Sequence, residues 1–378
     1  MAERLDHQPA TNLAQQLHAH SVRYAHKLDR HESLQTTISH LWHISPSCNS
    51  LCILQLRVSY LEQTLSSYPH LTICVITYNR LLALQRLLLS LNHARYHEHV
   101  DLRISVEAGA PSDLLRYVET FVWVHGSKTV HVRVVRAGLI PAVVESWFPA
   151  NDNCYGVLLE DDLEVSPYFY EWLMFALAMI KKTDMHNRVF GISLYTPRVI
   201  ETVNPYRTFL PDVEFPHSPA FLQQMPCSWG AMFFPDAWKK YIKYLHHRLI
   251  YNGSLLVPNS RTNGWVGSWK KYFVELAWAE ALFMLYPNFK NQTSFSTNYV
   301  EQGAHVVLGD KLHTRSMYTV PLHTTDTWLK NQDFSFPLPL LDVLGNLYKA
   351  EKSANDLSKH SCQWICPASR VQASLYST

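Results

Sequence analysis

From residue 71 onward, apolar and polar positions switch between strand-like and helix-like spacing in a regular sequence. Leu71-Thr72-Ile73-Cys74-Val75-Ile76-Thr77 is β-rich and nearly all apolar, which predicts a strand buried on both faces. It ends at Tyr78-Asn79-Arg80, after which Leu81, Leu84, Leu87, Leu88 and Leu91 recur at helical spacing. A second strand, Leu102 to Val106, closes on Glu107-Ala108-Gly109 and is followed by a predicted helix from Leu114 to Val122. Val130 to Val135 predicts a third strand and Gly138 to Phe148 a further helix. A fourth strand, Gly156 to Leu159, runs into Glu160-Asp161-Asp162, and Ser166-Pro167 then predicts a helix start with Ser as N-cap and Pro at the first helical position. Val189 to Ser193 reads as another strand. Alternation of this kind predicts an α/β domain with a mostly parallel central sheet flanked by helices, and places ligands beyond the C-terminal strand ends.

The pattern divides the chain into three parts. Residues 1–67 show only loose helical spacing (Leu13, Leu17, Tyr24, Leu28, Ile38, Leu41) and predict a helical or partly disordered arm, with a helix over Leu51 to Leu65 packing on the main domain. Residues 68–330 form the α/β domain, and residues 331–378 lose the alternation and predict a peripheral tail. Within the domain, Pro197 to Pro226 carries Pro205, Pro211, Pro216 and Pro219 without steady periodicity, as in an ordered excursion that shapes a binding site. Trp238 to Leu249 and Trp269 to Tyr286 read as helices.

Composition narrows the function. The 378 residues are 47% apolar and 12% aromatic with a net charge of +2, which suits a folded domain with a sizeable core. No basic block stands out, so nucleic acid is not an expected partner. The longest apolar run, Trp172 to Ile180, falls short of the ~20 residues of a membrane-spanning helix, and the N-terminus lacks the apolar core of a signal peptide. The expectation is therefore no transmembrane segment in this chain. The seven cysteines lie at irregular spacing, so neither a disulfide framework nor a four-ligand zinc site is expected. The sequons Asn252-Gly253-Ser254 and Asn291-Gln292-Thr293 would carry glycans only in a secretory compartment, which the residues themselves do not specify.

Three consecutive acids directly after an apolar strand cannot easily remain unpaired beside a core. A hard divalent cation, Mn²⁺ or Mg²⁺, takes oxygen ligands and also bridges phosphate oxygens. Strand alternation would turn Glu160 and Asp162 to the same side. The competing reading is a charged loop that caps the following helix.

The stretch Val157-Leu158-Leu159-Glu160-Asp161-Asp162-Leu163-Glu164-Val165-Ser166-Pro167, with Phe169 and Glu171, closely resembles the metal-site segment of the Golgi α-mannoside β-1,2-N-acetylglucosaminyltransferases. It is also similar to the protein O-mannose N-acetylglucosaminyltransferases and to family-2-like enzymes. The resemblance extends more weakly from about Leu71 to His305. It implies a GT-A (Rossmann-like) nucleotide-diphospho-sugar transferase fold, a UDP-sugar donor, a Mn²⁺ or Mg²⁺ ion, a glycan or glycoprotein acceptor, and a place in protein glycosylation in the Golgi lumen. By the same resemblance Asp162 binds the metal, and Asp161 and Glu160 approach ribose and sugar. Thr77-Tyr78-Asn79-Arg80 is similar to the turn that brings Arg to the uracil, and Glu107 stands where an acid meets the nucleoside. Ser268-Trp269-Lys270-Lys271-Tyr272-Phe273-Val274-Glu275 resembles the segment carrying the catalytic base, which implies Glu275 in that role with Glu280 as second candidate. Trp229 and Gly230 match a segment beneath donor and acceptor, and His305 a C-terminal metal or diphosphate ligand. Lys270, Lys271 and Arg315 are further candidates for the diphosphate.

Two other functions compete with an inverting, metal-dependent glycosyltransferase. One is a catalytically silent nucleotide-sugar or glycan-binding protein that retains the fold. The other is a metal-dependent phosphohydrolase, disfavoured because two-metal sites need more ligands than one acidic cluster supplies.

Overall fold

The computed structural model describes residues 69–251, 257–301, 318–330 and 337–348, all within one unit of the chain, Pro69–Thr378. The expected N-terminal arm, His305, Arg315, four of the seven cysteines and most of the expected tail lie outside these residues. In chain order the elements are β1 (His70–Thr77), α1 (Leu81–His93), β2 (Val100–Val106), α2 (Ser112–Thr120), β3 (Lys128–Val132), α3 (Leu139–Val144) and β4 (Cys154–Glu160). There follow β5 (Leu163–Val165), α4 (Phe169–Ile180), β6 (Val189–Ser193), β7 (Val199–Ile200), β8 (Arg207–Thr208), α5 (Pro211–Glu214), β9 (Ala220–Gln223) and β10 (Ala231–Phe233). The last are α6 (Pro235–Tyr251), α7 (Trp269–Ala279), β11 (Phe283–Pro287), β12 (Ser296–Asn298), α8 (Thr327–Lys330) and β13 (Leu340–Leu341).

The central sheet has the order β13-β9-β11-β6-β10-β4-β1-β2-β3. Five of its pairs are parallel, and the three antiparallel ones arise because β10 runs against both β4 and β6 and β11 runs against β9. This is the mixed α/β architecture with a mostly parallel sheet that the alternation predicts.

Period-2 side-chain alternation sorts the strands into two apolar layers. Leu71, Ile73 and Val75 of β1, with Tyr155, Val157 and Leu159 of β4, join a cluster that includes α1 and α4. Cys74, Ile76 and Leu158 point the other way, into a cluster with Trp238 and Tyr241 of α6 and Phe273 and Leu276 of α7. Helices therefore cover both faces of the sheet, as near-continuous apolar strands require. On the first face Trp172 stacks on Phe295 at 5.1 Å and donates its indole N–H to Ser193 O at 2.9 Å. On the second, Tyr241 stacks on Phe273 at 4.4 Å. Within β4 only glycine fits at 156, since a Cβ there would lie 2.3 Å from the buried Trp147 ring.

Four sequence expectations are corrected. The helix expected over Trp269 to Tyr286 stops at Ala279, where Ala281 adopts φ +50, and β-rich Phe283–Pro287 becomes a sheet strand instead. The aperiodic Pro197 to Pro226 excursion contains β7, β8 and β9, the last inside the central sheet. Ser166-Pro167 does not open the helix: the chain first forms β5, which pairs with β12, and α4 starts at Phe169. Leu340–Leu341, in the stretch expected to be peripheral, supplies the edge strand beside β9.

Candidate active site

The chain builds β1, β2 and β3 outward in one direction and then returns to place β4 on the other side of β1. Two neighbouring parallel strands whose connections diverge leave a crevice beyond their C-terminal ends. β1 delivers Thr77 and the turn to Arg80 there, and β4 delivers Glu160-Asp161-Asp162, with Ile76 opposite Glu160 in the register.

Arg80 binds two of the three acids. Its guanidinium forms an ion pair with Asp161 Oδ1 and a looser one with Asp162 Oδ2 at 3.3 Å. Thr77, buried, donates its hydroxyl to Asp161 Oδ2 at 2.7 Å, so Asp161 is held twice by β1 and its turn. Asp162 is held through its backbone, its carbonyl accepting the Tyr299 N–H at 3.1 Å where β12 runs beside β5. Asp162 Oδ1 is buried without a hydrogen bond of ordinary geometry, although the Asn298 side chain is close enough to favour the charged form. Burial raises both aspartates above the usual carboxylate range, with Arg80 opposing. Glu160 is pushed up to about 8, by burial first and then by the charge of Asp162.

Strand alternation does not continue through the triplet. β4 ends at Glu160 and the chain turns at 161–162 into β5. Glu160 therefore faces a cleft lined by Ile76, Leu158, Leu159, Cys227, Ser228 and Trp269, whereas Asp161 and Asp162 share Arg80. Glu160 nevertheless feels the Asp162 charge more strongly than that of Arg80 or Asp161. Arg80, implied at the uracil, has its guanidinium on the two aspartates, and Asn79 beside it is exposed.

Glu107 also takes a different part from the one the resemblance implies. Its oxygens accept the N–H groups of Ala108 at 2.8 Å, Gly138 at 3.0 Å and Ala137 at 3.3 Å. Burial favours its neutral form, but these three donors and Arg133 outweigh it and hold the carboxyl below its ordinary range. With its acceptor sites taken by backbone, Glu107 pins the 137–138 loop, where Gly138 has φ +82, instead of reaching a nucleoside directly.

Opposite the acids, Cys227-Ser228-Trp229-Gly230 leads into β10. Gly230 has φ +92, and a Cβ there would lie 3.1 Å from Leu159 and 3.2 Å from Ser296 Oγ, so glycine lets this segment close on β4. Ser296 Oγ donates to Trp229 O at 2.6 Å, and the half-buried Trp229 ring meets Tyr195 and Tyr318 edge-on at 4.7 and 5.1 Å. Trp229 walls a second, narrow cleft that shares Cys227 and Ser228 with the one at Glu160.

Glu275 is not available as a base. It is 1% exposed and sealed between α6 and α7, where Arg248 donates to Oε2 at 2.8 Å and Oε1 at 3.2 Å and Tyr244 donates to Oε2 at 2.9 Å. Helical spacing from Trp269 turns that position toward the neighbouring helix, away from any acceptor. Glu280 lies at the far end of α7 and pairs with Lys240 at 2.5 Å. Lys270 forms an ion pair with Glu201, and Lys271 donates to Asn263 O at 3.0 Å. The pattern gives no signal for Glu201, Asn298 or Tyr299: Glu201 sits in the aperiodic excursion, Asn298 ends the three-residue β12 and Tyr299 follows it, too short a stretch for a helix or strand period.

The acid group fits a hard divalent ion as a partial ligand set. Among the described residues no three His, Cys, Asp or Glu side chains converge on one point. Ions of this type nevertheless bind through one or two carboxylates when substrate phosphates and water complete the shell. Two carboxylates on one arginine, with a buried Asp162 oxygen lacking a hydrogen bond of ordinary geometry, provide that chemistry.

Residues 78–253 match the family described as SPBC1E8.03c C-terminal domain. No curated protein matches the chain. Among solved structures it is similar to the mannosyltransferase PcManGT from Pyrobaculum calidifontis in complex with GDP-Man and Mn²⁺, with 16% identity, a TM-score of 0.31, and coverage of 46% of this chain and 47% of that one. It is also similar to S. aureus TarS 1–349, at 11% identity, a TM-score of 0.37 and coverage of 58% of each chain. The same protein in complex with UDP gives 13% identity and a TM-score of 0.34, again over 58% of each. The chain thus spans about half the length of these glycosyltransferase structures. No helix among the described residues is long and apolar enough to cross a membrane.

Proposed function

We propose that this chain is a metal-dependent GT-A glycosyltransferase that moves a sugar from a nucleotide-sugar, a UDP-sugar in the first instance, to a hydroxyl of a glycan or glycoprotein. The observation that carries the reading is the grouping of Glu160, Asp161, Asp162 and Arg80 at the crevice between β1 and β4. Inversion at the anomeric carbon comes from the resemblance of the acidic segment to inverting transferases.

In this reading Asp162 holds the ion through the oxygen that lacks a hydrogen bond. A divalent cation bound there supplies Lewis-acid neutralisation of the departing diphosphate. Thr77 and Arg80 keep Asp161 in one orientation for the ribose. Glu160, on the adjoining cleft, stands toward the sugar. The Trp229 face offers an apolar surface for the C–H face of a sugar ring. Glu107 keeps the 137–138 loop in place beside the nucleoside site.

A silent nucleotide-sugar binder is the second reading, favoured by one observation: the residue implied as base, Glu275, is sealed in a helix interface. Release of nucleoside diphosphate from a panel of UDP-sugars and GDP-mannose, with Mn²⁺ and candidate glycan acceptors, separates the two. The transferase reading predicts release from at least one UDP-sugar and its loss on adding EDTA. Binding of UDP without release from any donor would support the silent protein.

A further inference from the structure

We infer that Glu201, at the mouth of the cleft beside Trp229, is the group that takes the proton from the acceptor hydroxyl; this rests on the transferase reading above. Two clefts meet at Cys227 and Ser228. Among the described residues that line them, each contributes a single carboxylate: Glu160 in one and Glu201 in the other. An inverting displacement needs one face of the anomeric carbon for the leaving diphosphate and the opposite face for the incoming hydroxyl with its base. With the acidic triplet on the side of the diphosphate, Glu201 in the adjoining cleft is the carboxylate left for the incoming hydroxyl.

Glu201 is positioned as such a base must be. It follows β7 directly, and its neighbour Thr202 is tied down by Thr202 Oγ1 donating to Val343 O at 2.6 Å and Thr202 O accepting the Arg261 N–H at 2.8 Å. Lys270, almost fully buried at the start of α7, forms an ion pair with the Glu201 carboxylate and fixes its direction. The same ammonium lies 5.7 Å from the centre of the Trp229 ring, which ties the base to the wall expected to meet a sugar. Glu201 keeps 27% of its side chain exposed, unlike Glu275, so a hydroxyl can reach it. Beside Glu201 the half-buried Trp229 and Ser228 offer an aromatic face and a hydroxyl, a pairing suited to a neutral sugar with one apolar face.

The step balances without a further reactant. The acceptor oxygen forms a bond to the anomeric carbon, the bond from that carbon to the diphosphate oxygen breaks with its electron pair left on the diphosphate, and the hydroxyl proton passes to Glu201.

The test compares wild type with Glu201→Gln and Glu201→Asp, measuring UDP affinity by calorimetry and sugar transfer from UDP-sugars to a panel of methyl glycosides. The expected result is a fall of about 10²–10⁴-fold in kcat for Glu201→Gln, with UDP affinity and the acceptor KM within threefold of wild type. Glu201→Asp, which keeps the carboxylate one methylene short, is expected to fall between the two and carries the test if the Gln variant does not fold. Transfer by Glu201→Gln within threefold of wild type overturns the assignment while leaving the transferase reading intact. A wild-type protein that binds UDP but transfers nothing, or that binds no UDP, overturns the transferase reading and this inference with it.

Discussion

An Asp162→Ala variant is expected to lose at least about 100-fold in UDP-sugar turnover, the scale on which removal of one charge-stabilising group affects a transition state. Its unfolding temperature is expected to stay the same or rise. The two effects share one cause. Asp162 is buried next to Asp161, and burial already disfavours its charged form. Its removal relieves like-charge crowding, Arg80 keeps Asp161, and Tyr299 still donates to the backbone carbonyl of residue 162. A Tm scan and a donor-turnover assay on the same preparation check the pair. Loss of stability together with full activity would show a structural role instead.

Glu275→Ala is expected to show the reverse signature. Truncation leaves Arg248 buried without its carboxylate and removes the acceptor for Tyr244, and breaking a buried ion pair by deleting one partner costs about 3–5 kcal/mol. The loss is measurable as a lower urea midpoint with an unchanged slope. UDP affinity is expected to remain at the wild-type value under conditions where the variant is folded. A stable variant that binds UDP but transfers no sugar would restore Glu275 to catalysis and remove Glu201 from it.

The two variants also show where sequence reasoning succeeds and where it stops. The strands β1, β2 and β4 are legible because each is a run of apolar residues ending in polar ones, and that punctuation locates Thr77, Arg80 and the acidic triplet at the crevice. A buried strand and a buried helix segment are harder to tell apart: Phe283–Pro287 continues the apolar character of α7, so the break at Ala281 is invisible in spacing. The same ambiguity misplaces Glu275. Period 3.6 shows that the position belongs to a helix face, but not whether that face meets a cleft or Arg248 from another helix. Glu201 lies beyond sequence reasoning for a different reason. Its partner Lys270 is 69 residues away, and the two-residue strand it follows pairs with another two-residue strand.

Arg80 poses the sharpest alternative to a metal at this site. It already places a positive charge on Asp161 and Asp162, Asp162 lines neither cleft, and a permanent Arg80 bridge would leave the acids without need of an ion. Against that stand the 3.3 Å spacing to Asp162 and the excess of three carboxylates over one guanidinium.

Calorimetric titration of UDP into the wild-type and Asp162→Ala proteins, each with Mn²⁺ and with EDTA, decides between these arrangements. The metal-dependent account predicts UDP binding by the wild type that weakens at least tenfold in EDTA, and an Asp162→Ala protein whose weaker binding no longer responds to Mn²⁺. Equal UDP affinity in all four titrations, or no UDP binding in any, would contradict it.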